Sequence, residues 1–255
     1  MIIALLTDFG TKDYFIGAMK GSILTINPEA KIVDITHETE PQNIHSAGFT
    51  LANCFRDFPP KTIFIAIVDP GVGSNRRAIL VETERYYFVT PDNGLASFIL
   101  QDEKTFRVFE LTNSRFFREP LSQTFHGRDI FAPVGAWLSK GVNPEEFGPK
   151  LTDVVRLELT HPRIISDNET EGEIIQIDHF GNLITNLKIE DLKENFVIEV
   201  NGYLVSKHQN YYSEVKPDEI FTIFGSAGFL EIVANQNSAE NILQVTKGDK
   251  IIVKT

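Results

Sequence analysis

Apolar residues fall in short, dense runs through the first 160 residues and in closely spaced, shorter groups after them. Residues 2–6 form an apolar run that stops at Thr7-Asp8-Phe9-Gly10, and a helical pattern follows over about 14–25. A second strand at 31–35 precedes a helical stretch at 43–58. Residues 62–68 (TIFIAIV) carry no polar alternation after the first position, which predicts a strand buried on both faces. Runs at 78–82 and 86–90 flank Thr83-Glu84-Arg85 and predict a hairpin. A short helix at 95–100, a strand at 106–111 and a helix at 129–140 complete this half. The order predicts an α/β sandwich domain with a mostly parallel sheet over residues 1–160.

The texture then changes. Strand-like segments at 172–177, 183–187, 196–200, 203–205, 220–224, 229–233 and 250–253 are punctuated by Gly and Asn, with little helix between them. They predict a small all-β barrel domain over residues 171–255. The polar, proline-containing stretch 161–170 reads as the linker.

Composition narrows the function. Twenty Phe against one Trp point to well-filled cores. The net charge of −11 comes with no run of Lys or Arg, so the electrostatic footprint of a nucleic-acid binder is missing. One cysteine, Cys54, rules out an intrachain disulfide framework and a multi-cysteine zinc site, and its apolar surroundings predict a core residue. No basic leader with a cleavage site precedes the first strand and no apolar run reaches about 18 residues. A cytoplasmic protein without a membrane partner is therefore expected.

Three strands end in polar, glycine-containing turns: Thr7-Asp8-Phe9-Gly10, Asp69-Pro70-Gly71-Val72-Gly73 and Pro91-Asp92-Asn93-Gly94. Ligands of open α/β sheets bind beyond the carboxyl ends of strands, where Asp8 and Asp69 fall. Each Asp is equally well explained as a cap of its own turn. Gly71-Val72-Gly73 lacks the third glycine of a dinucleotide fingerprint, and no nucleoside-triphosphate P-loop is present. The six histidines show no metal-ligand spacing, so no metal is expected. Phe125-His126-Gly127-Arg128-Asp129 precedes an apolar helix. Asp129 there reads as a cap paired with Arg128, while His126 is a candidate proton carrier near neutral pH. Asp178-His179-Phe180-Gly181-Asn182 and the Gly225–Glu231 stretch are polar turns that spacing alone leaves open between hairpin and site.

Seven motifs in order decide between these readings: T-D-F-G-T-K-D (7–13), D-I-T-H (34–37), V-D-P-G-V-G-S-N-R-R (68–77), P-D-N-G-L (91–95), F-H-G-R-D (125–129), D-H-F-G-N (178–182) and G-S-A-G-F-L-E-I (225–232). Together they resemble the SAM hydroxide adenosyltransferase family, water-using relatives of the fluorinases and chlorinases that act on S-adenosyl-L-methionine (SAM). The resemblance spans essentially the whole chain. It implies an N-terminal α/β domain, a C-terminal β-barrel and a homotrimer holding SAM between domains of neighbouring subunits. It further implies that Asp8 holds the ribose hydroxyls, Asp13 lies near the methionine amino group, and Phe125 lines the ribose pocket. Asp178 and Ser226 then contact the methionine end, and Asn182 with Ala234 and Asn235 contact adenine. Asp69, Arg76 and His126 match the Asp-Arg-His triad of the water-using members. Where fluorinases carry small hydroxyl residues this chain has Val72 and Gly127, the latter shared with the chlorinase, and Gln42 replaces a Trp.

The implied reaction is cleavage of the ribose C5′–S bond by water, giving adenosine and L-methionine. A sulfonium leaves as a neutral thioether, so the difficulty lies with the nucleophile and no cofactor is needed beyond the substrate. Arg76 is expected to orient and polarise water, His126 to accept or relay its proton, and Asp69 to fix the Arg76 fork. The alternatives are a chloride-using halogenase and a SAM-binding protein without turnover.

Overall fold

In the computed structural model, which describes residues 1–255, the first strand, β1 (Ile2–Thr7), shows how the N-terminal unit is built. Its side chains alternate between two cores. Ile3 and Leu5 enter one hydrophobic cluster, and Ala4 and Leu6 enter another. β3 (Ile63–Ile67) repeats the division, with Ile63, Ile65 and Ile67 on one face and Phe64 and Ala66 on the other. A strand with no polar alternation has found a sheet covered on both sides. At about 1.5–3 kcal/mol for each fully buried large apolar side chain, this pair of strands anchors the unit.

The remaining strands of this unit are β2 (Lys31–Thr36), β4 (Ala78–Thr83), β5 (Tyr87–Pro91), β6 (Phe106–Glu110) and β7 (Lys150–Leu151). The sheet order is β2-β1-β3-β5-β4-β6-β7. Pairings β1–β2, β1–β3 and β3–β5 are parallel, whereas β4–β5, β4–β6 and β6–β7 are antiparallel. The sheet is thus mixed: the hairpin predicted from residues 78–90 turns its second half antiparallel. Helices α1 (Phe15–Ile26) and α4 (Ala132–Ser139) lie on the first core, and α2 (Ile44–Ala52) and α3 (Ser97–Asp102) on the second. The helical stretch expected over 43–58 stops at Ala52 and continues as a 3-10 turn, Phe55–Asp57. Cys54 lies between the two, half-buried, and burial together with Asp57 pushes its thiol pKa up to about 11.

The chain divides into two compact units, Met1–Glu158 and Leu159–Thr255. In the second, β8 (Arg163–Ser166), β9 (Glu169–Ile177), β10 (Leu183–Lys188), β11 (Val197–Val200), β12 (Tyr203–Val205), β13 (Ile220–Phe224), β14 (Phe229–Ala234) and β15 (Lys250–Lys254) pair antiparallel, with one helix, α5 (Ala239–Leu243). The order is β12-β11-β15-β9-β10-β14-β13, with β8 added onto β9. A bridge between His208 and Thr222 joins the segment after β12 to β13 and nearly closes the sheet into a barrel. Ile174, Leu183, Ile198, Leu230, Ile232 and Val253 fill its interior.

One segment departs from expectation. Residues 161–170, read as a linker, contain β8 and the start of β9, which form a hairpin turning at Asp167-Asn168. The β-branched pair Ile164-Ile165 gains ladder hydrogen bonds that composition did not reveal. Residues 153–162, just before it, carry no regular structure. No helix of the chain is long and apolar enough to cross a membrane.

Candidate active site

The loop from Asp69 to Arg77 leaves the carboxyl end of β3 and enters β4, which runs the opposite way in the sheet. Its turns are closed by Val72 N donating to Asp69 O and Ser74 N to Gly71 O. Asp69 and Arg76 meet at its base. Arg76 Nε lies 2.9 Å from each carboxylate oxygen of Asp69, and its Nη2 also donates to Oδ2. The two side chains are only 5% and 10% exposed, so this is a bidentate pair held away from water. The guanidinium also lies over the Phe131 ring, 5.3 Å from its centroid.

Arg76 reaches a third residue. Its Nη2 is 2.8 Å from His126 Nδ1. Gly73 makes that approach possible: at φ +79° it packs against the backbone of Gln123, whose carbonyl oxygen would lie 2.3 Å from any added Cβ. The loop bearing Arg76 thereby rests on the segment leading to His126. Sequence spacing of 69, 76 and 126 gave no geometric reason for the contact; the sheet and this glycine supply it.

A guanidinium has donors and no acceptor, so His126 Nδ1 must accept, and the ring proton sits on Nε2. The pKa of His126 is lowered by burial first and by the Arg76 charge second, with Asp69 and Asp129 opposing. The ring is therefore neutral at pH 7. The expected role is refined: the Nδ1 lone pair is already engaged by Arg76, and Nε2–H is the ring's other polar group. While that contact holds, His126 is a hydrogen-bond donor rather than a proton acceptor.

The segment on the C-terminal side of His126 positions it. Gly127–Phe131 forms one π-helical turn that runs into α4, so the helix expected from residue 129 begins earlier. Asp129 is not its cap. It is fully buried within the turn, accepting from Arg128 Nε at 2.6 Å, Ser122 N at 2.9 Å and Arg118 at 3.4 Å. Burial alone would raise its pKa, but these hydrogen bonds and the two arginine charges outweigh burial and hold it below the usual carboxylate range.

Phe125, buried, packs edge-on against Phe15 at 5.3 Å, Phe9 at 6.2 Å and Tyr14 at 6.4 Å between ring centroids. Asp8 follows β1 directly and accepts from the backbone N of Gln42 at 2.8 Å, where Gln42 has φ 65°. Thr7, its neighbour, is tied to His37 Nδ1 at 2.9 Å, and His37 Nε2 lies 3.1 Å from Asp34. Asp13 is exposed, two residues before α1.

In the second unit a cavity of about 840 Å³ opens beside the β13–β14 turn. Of the predicted residues, Asp178, Asn182, Ser226 and Ala234 line it. Asn235 does not; its side chain instead donates to the Val215 carbonyl at 2.6 Å. Asp178 closes the β9–β10 turn by accepting from Phe180 N, Asn182 N and Asn182 Nδ2 at 2.8–2.9 Å. The hairpin and site readings of this turn therefore coexist. Tyr212 and Glu231 also line the cavity and were not singled out from the sequence. Period-2 alternation along β14, which sends Leu230 and Ile232 to the interior and Glu231 to the opposite face, was the signal for the latter.

Residues 3–148 match the SAM hydroxide adenosyltransferase N-terminal domain, and residues 172–252 the corresponding C-terminal domain. The chain belongs to the SAM hydroxide adenosyltransferase family. A relative from Methanocaldococcus jannaschii, named (R)-S-adenosyl-L-methionine hydrolase, is 37% identical across 98% of this chain and 94% of its own. One of the same name from Thermus thermophilus is 32% identical across 96% of both. A fluorinase from Nocardia brasiliensis is 27% identical over 76% of this chain and 73% of its own. In structure, an uncharacterised conserved protein from Thermotoga maritima superposes with a TM-score of 0.92 at 36% identity, covering both chains completely. The SAM hydroxide adenosyltransferase signature therefore extends over both units, and the full-length resemblance is to hydrolases rather than to fluorinases.

Proposed function

We propose that this protein hydrolyses SAM at the ribose C5′–S bond, releasing adenosine and L-methionine. The observation that carries the proposal is the half-buried Asp69–Arg76–His126 chain of hydrogen bonds, together with full-length relatives named as SAM hydrolases. In this reading water attacks C5′ in line with sulfur. The C5′–S electron pair stays on sulfur, so methionine leaves as a neutral thioether, and one water proton is released to solvent. Arg76 polarises the water, Nε2–H of His126 orients its oxygen, and Asp69 fixes the guanidinium. Asp8, Asp13, Phe125, Asp178, Asn182, Ser226 and the Ala234-Asn235 segment serve substrate binding. No step calls for a cofactor or metal.

A chloride-using reaction is disfavoured by the complete Asp69–Arg76–His126 triad and by the full-length relatives named as SAM hydrolases. The hydroxyl residue that fluorinases carry has little room at position 127, where a Cβ would meet Met19 Sδ at 3.3 Å and the Phe125 and Phe9 rings at 3.4 Å. A homotrimer in the cytoplasm belongs to the same proposal, and sedimentation giving three times the 28.7 kDa chain mass tests the assembly. The deciding experiment is turnover of SAM in ¹⁸O-water with and without chloride. Adenosine labelled at its 5′-oxygen supports the proposal; 5′-chloro-5′-deoxyadenosine, or no product from SAM that demonstrably binds, overturns it.

A further inference from the structure

Asp34 and His37 of the D-I-T-H stretch supply no group to the proposed reaction, yet His37 is only 5% exposed. Its ring spans two polar partners. Nδ1 lies 2.9 Å from Thr7 Oγ1, and Nε2 lies 3.1 Å from Asp34 Oδ1, while Asp34 Oδ2 accepts from Lys20 Nζ at 2.6 Å. A carboxylate only accepts, so the ring proton sits on Nε2. Thr7, fully buried, accepts from Phe9 N at 3.2 Å and turns its own hydroxyl hydrogen to Nδ1. The His37 carbonyl accepts from Gly10 N at 2.8 Å. Ring and carbonyl of one residue thus hold both ends of the 7–10 turn.

The β1–β2 ladder shifts register between Leu5 and Leu6 and ends at the pair Leu6–Thr36, so no strand on that side fixes the direction the chain takes after Thr7. Asp8 sits inside the held turn. Gln42 N occupies its Oδ2 at 2.8 Å, which leaves Oδ1 to accept from a ligand. A group that binds a ligand has to be kept within about 0.5 Å of its working place, and residues that do not touch the ligand do the keeping. Resting on the reading of the protein as a SAM hydrolase with Asp8 on the ribose hydroxyls, we infer that His37 is a positioning residue that aims the Asp8 carboxylate at the ribose diol through Thr7 and Gly10.

The donors run one way, from Phe9 N through Thr7 and His37 to Asp34, and Lys20 ties the far end to α1. An ion pair as exposed as Lys20–Asp34 adds little stability of its own; its effect here is to keep Asp34 turned toward the ring. Thr11 Oγ1 donates to Glu38 Oε1 at 3.0 Å and joins the same two segments one step further on. His37 follows β2 rather than lying within it, so loss of its ring removes no strand pairing. What goes is the constraint on the turn.

The test uses the full-length protein with adenosine and with 2′,3′-dideoxyadenosine, which lacks both ribose hydroxyls, their affinities read by calorimetry. Wild type should bind adenosine about tenfold or more tightly than the dideoxy probe, the scale of a hydrogen bond to a charged group. His37→Ala should shrink that ratio to about threefold or less by weakening adenosine alone, and should raise KM for SAM by a similar factor. Thr7→Val, which deletes the hydroxyl and leaves the ring in place, should act in the same direction. His37→Asn, whose amide oxygen can take the Thr7 hydrogen, should restore most of the ratio. A wild-type ratio in His37→Ala or Thr7→Val, or an equal weakening of both ligands, overturns the inference while leaving the hydrolase reading intact. A ratio near one in wild type, or one unchanged in Asp8→Ala, takes Asp8 off the ribose and the inference with it. Wild-type protein that neither binds nor cleaves SAM removes the hydrolase reading as well.

Discussion

Arg76 donates to Nδ1 of His126 at 2.8 Å while the same guanidinium grips both oxygens of Asp69. One rigid, planar group thus fixes an anion on one side and the tautomer of an imidazole on the other. A lysine delivers a single point of charge and cannot hold both partners in one plane.

Arg76→Lys is accordingly expected to behave nearly as badly as Arg76→Ala. Adenosine formation, followed by chromatography, should fall about a hundredfold or more in each. Both variants should also unfold more easily, because removing one partner of a buried pair strands the other, at about 3–5 kcal/mol. Near wild-type turnover in Arg76→Lys would show that the planar fork is not needed.

The pH profile follows from the state of His126. Its pKa is depressed by burial and by Arg76, and only the neutral ring can accept the arginine's N–H. The active form is thus the unprotonated one, and kcat should be lost as pH falls through a value below the ordinary histidine range near 6.5. An acid limb centred above 6.5 would contradict the arrangement. His126→Ala should slow adenosine release about a hundredfold or more and abolish this limb.

Asp129 is a stability prediction rather than a catalytic one. Its depressed pKa means that its contribution is fully present above the ordinary Asp value and is lost as pH falls through the lower folded value. Asp129→Ala should cost about 3–5 kcal/mol by denaturant unfolding at pH 7. The gap from wild type should narrow as the solution is taken below the usual Asp range.

Gly127→Ser places a hydroxyl where Met19, Phe125 and Phe9 leave 3.3–3.4 Å for its Cβ. Crowding of a close-packed aromatic site typically costs about 1–3 kcal/mol. The variant should lose stability on this scale and turnover with it, and should gain no chlorinated product in high chloride. Appearance of 5′-chloro-5′-deoxyadenosine would show that the pocket yields more than its packing suggests.

Prolonged dialysis against a chelator should leave turnover unchanged, since water, a guanidinium and an imidazole supply the chemistry. Loss of activity restored by a divalent ion would require a different account of the nucleophile.

Much of this was legible in the chain. The two-sided burial of β3 follows from a run without polar alternation, and the hairpin at 78–90 from Thr83-Glu84-Arg85 between two strand-like runs. Motif order carried the family. What stayed hidden were consequences of long-range packing: the contact of Arg76 with a ring 50 positions away, the burial of Asp129 inside a π-turn, and the hairpin at 163–177. None has a local signature, because tautomer and burial are set by neighbours the fold delivers. Glu231 was overlooked for the opposite reason. Its strand reads as apolar, and a single acidic residue on the outer face of a barrel resembles ordinary solvated surface until a cavity is found above it.

The stretch between Asp69 and Arg76 is a noose drawn tight at its own neck. Because the ion pair closes the base and Gly73 rests on Gln123, the exposed residues Ser74 and Asn75 form a tip beyond the contact that seats the loop. Extra residues inserted at Ser74-Asn75, beyond the glycine that touches Gln123, should lengthen the tip without loosening the knot. That makes this tip the place where the enzyme can be remodelled, by evolution or by design, while its reacting centre stays as it is.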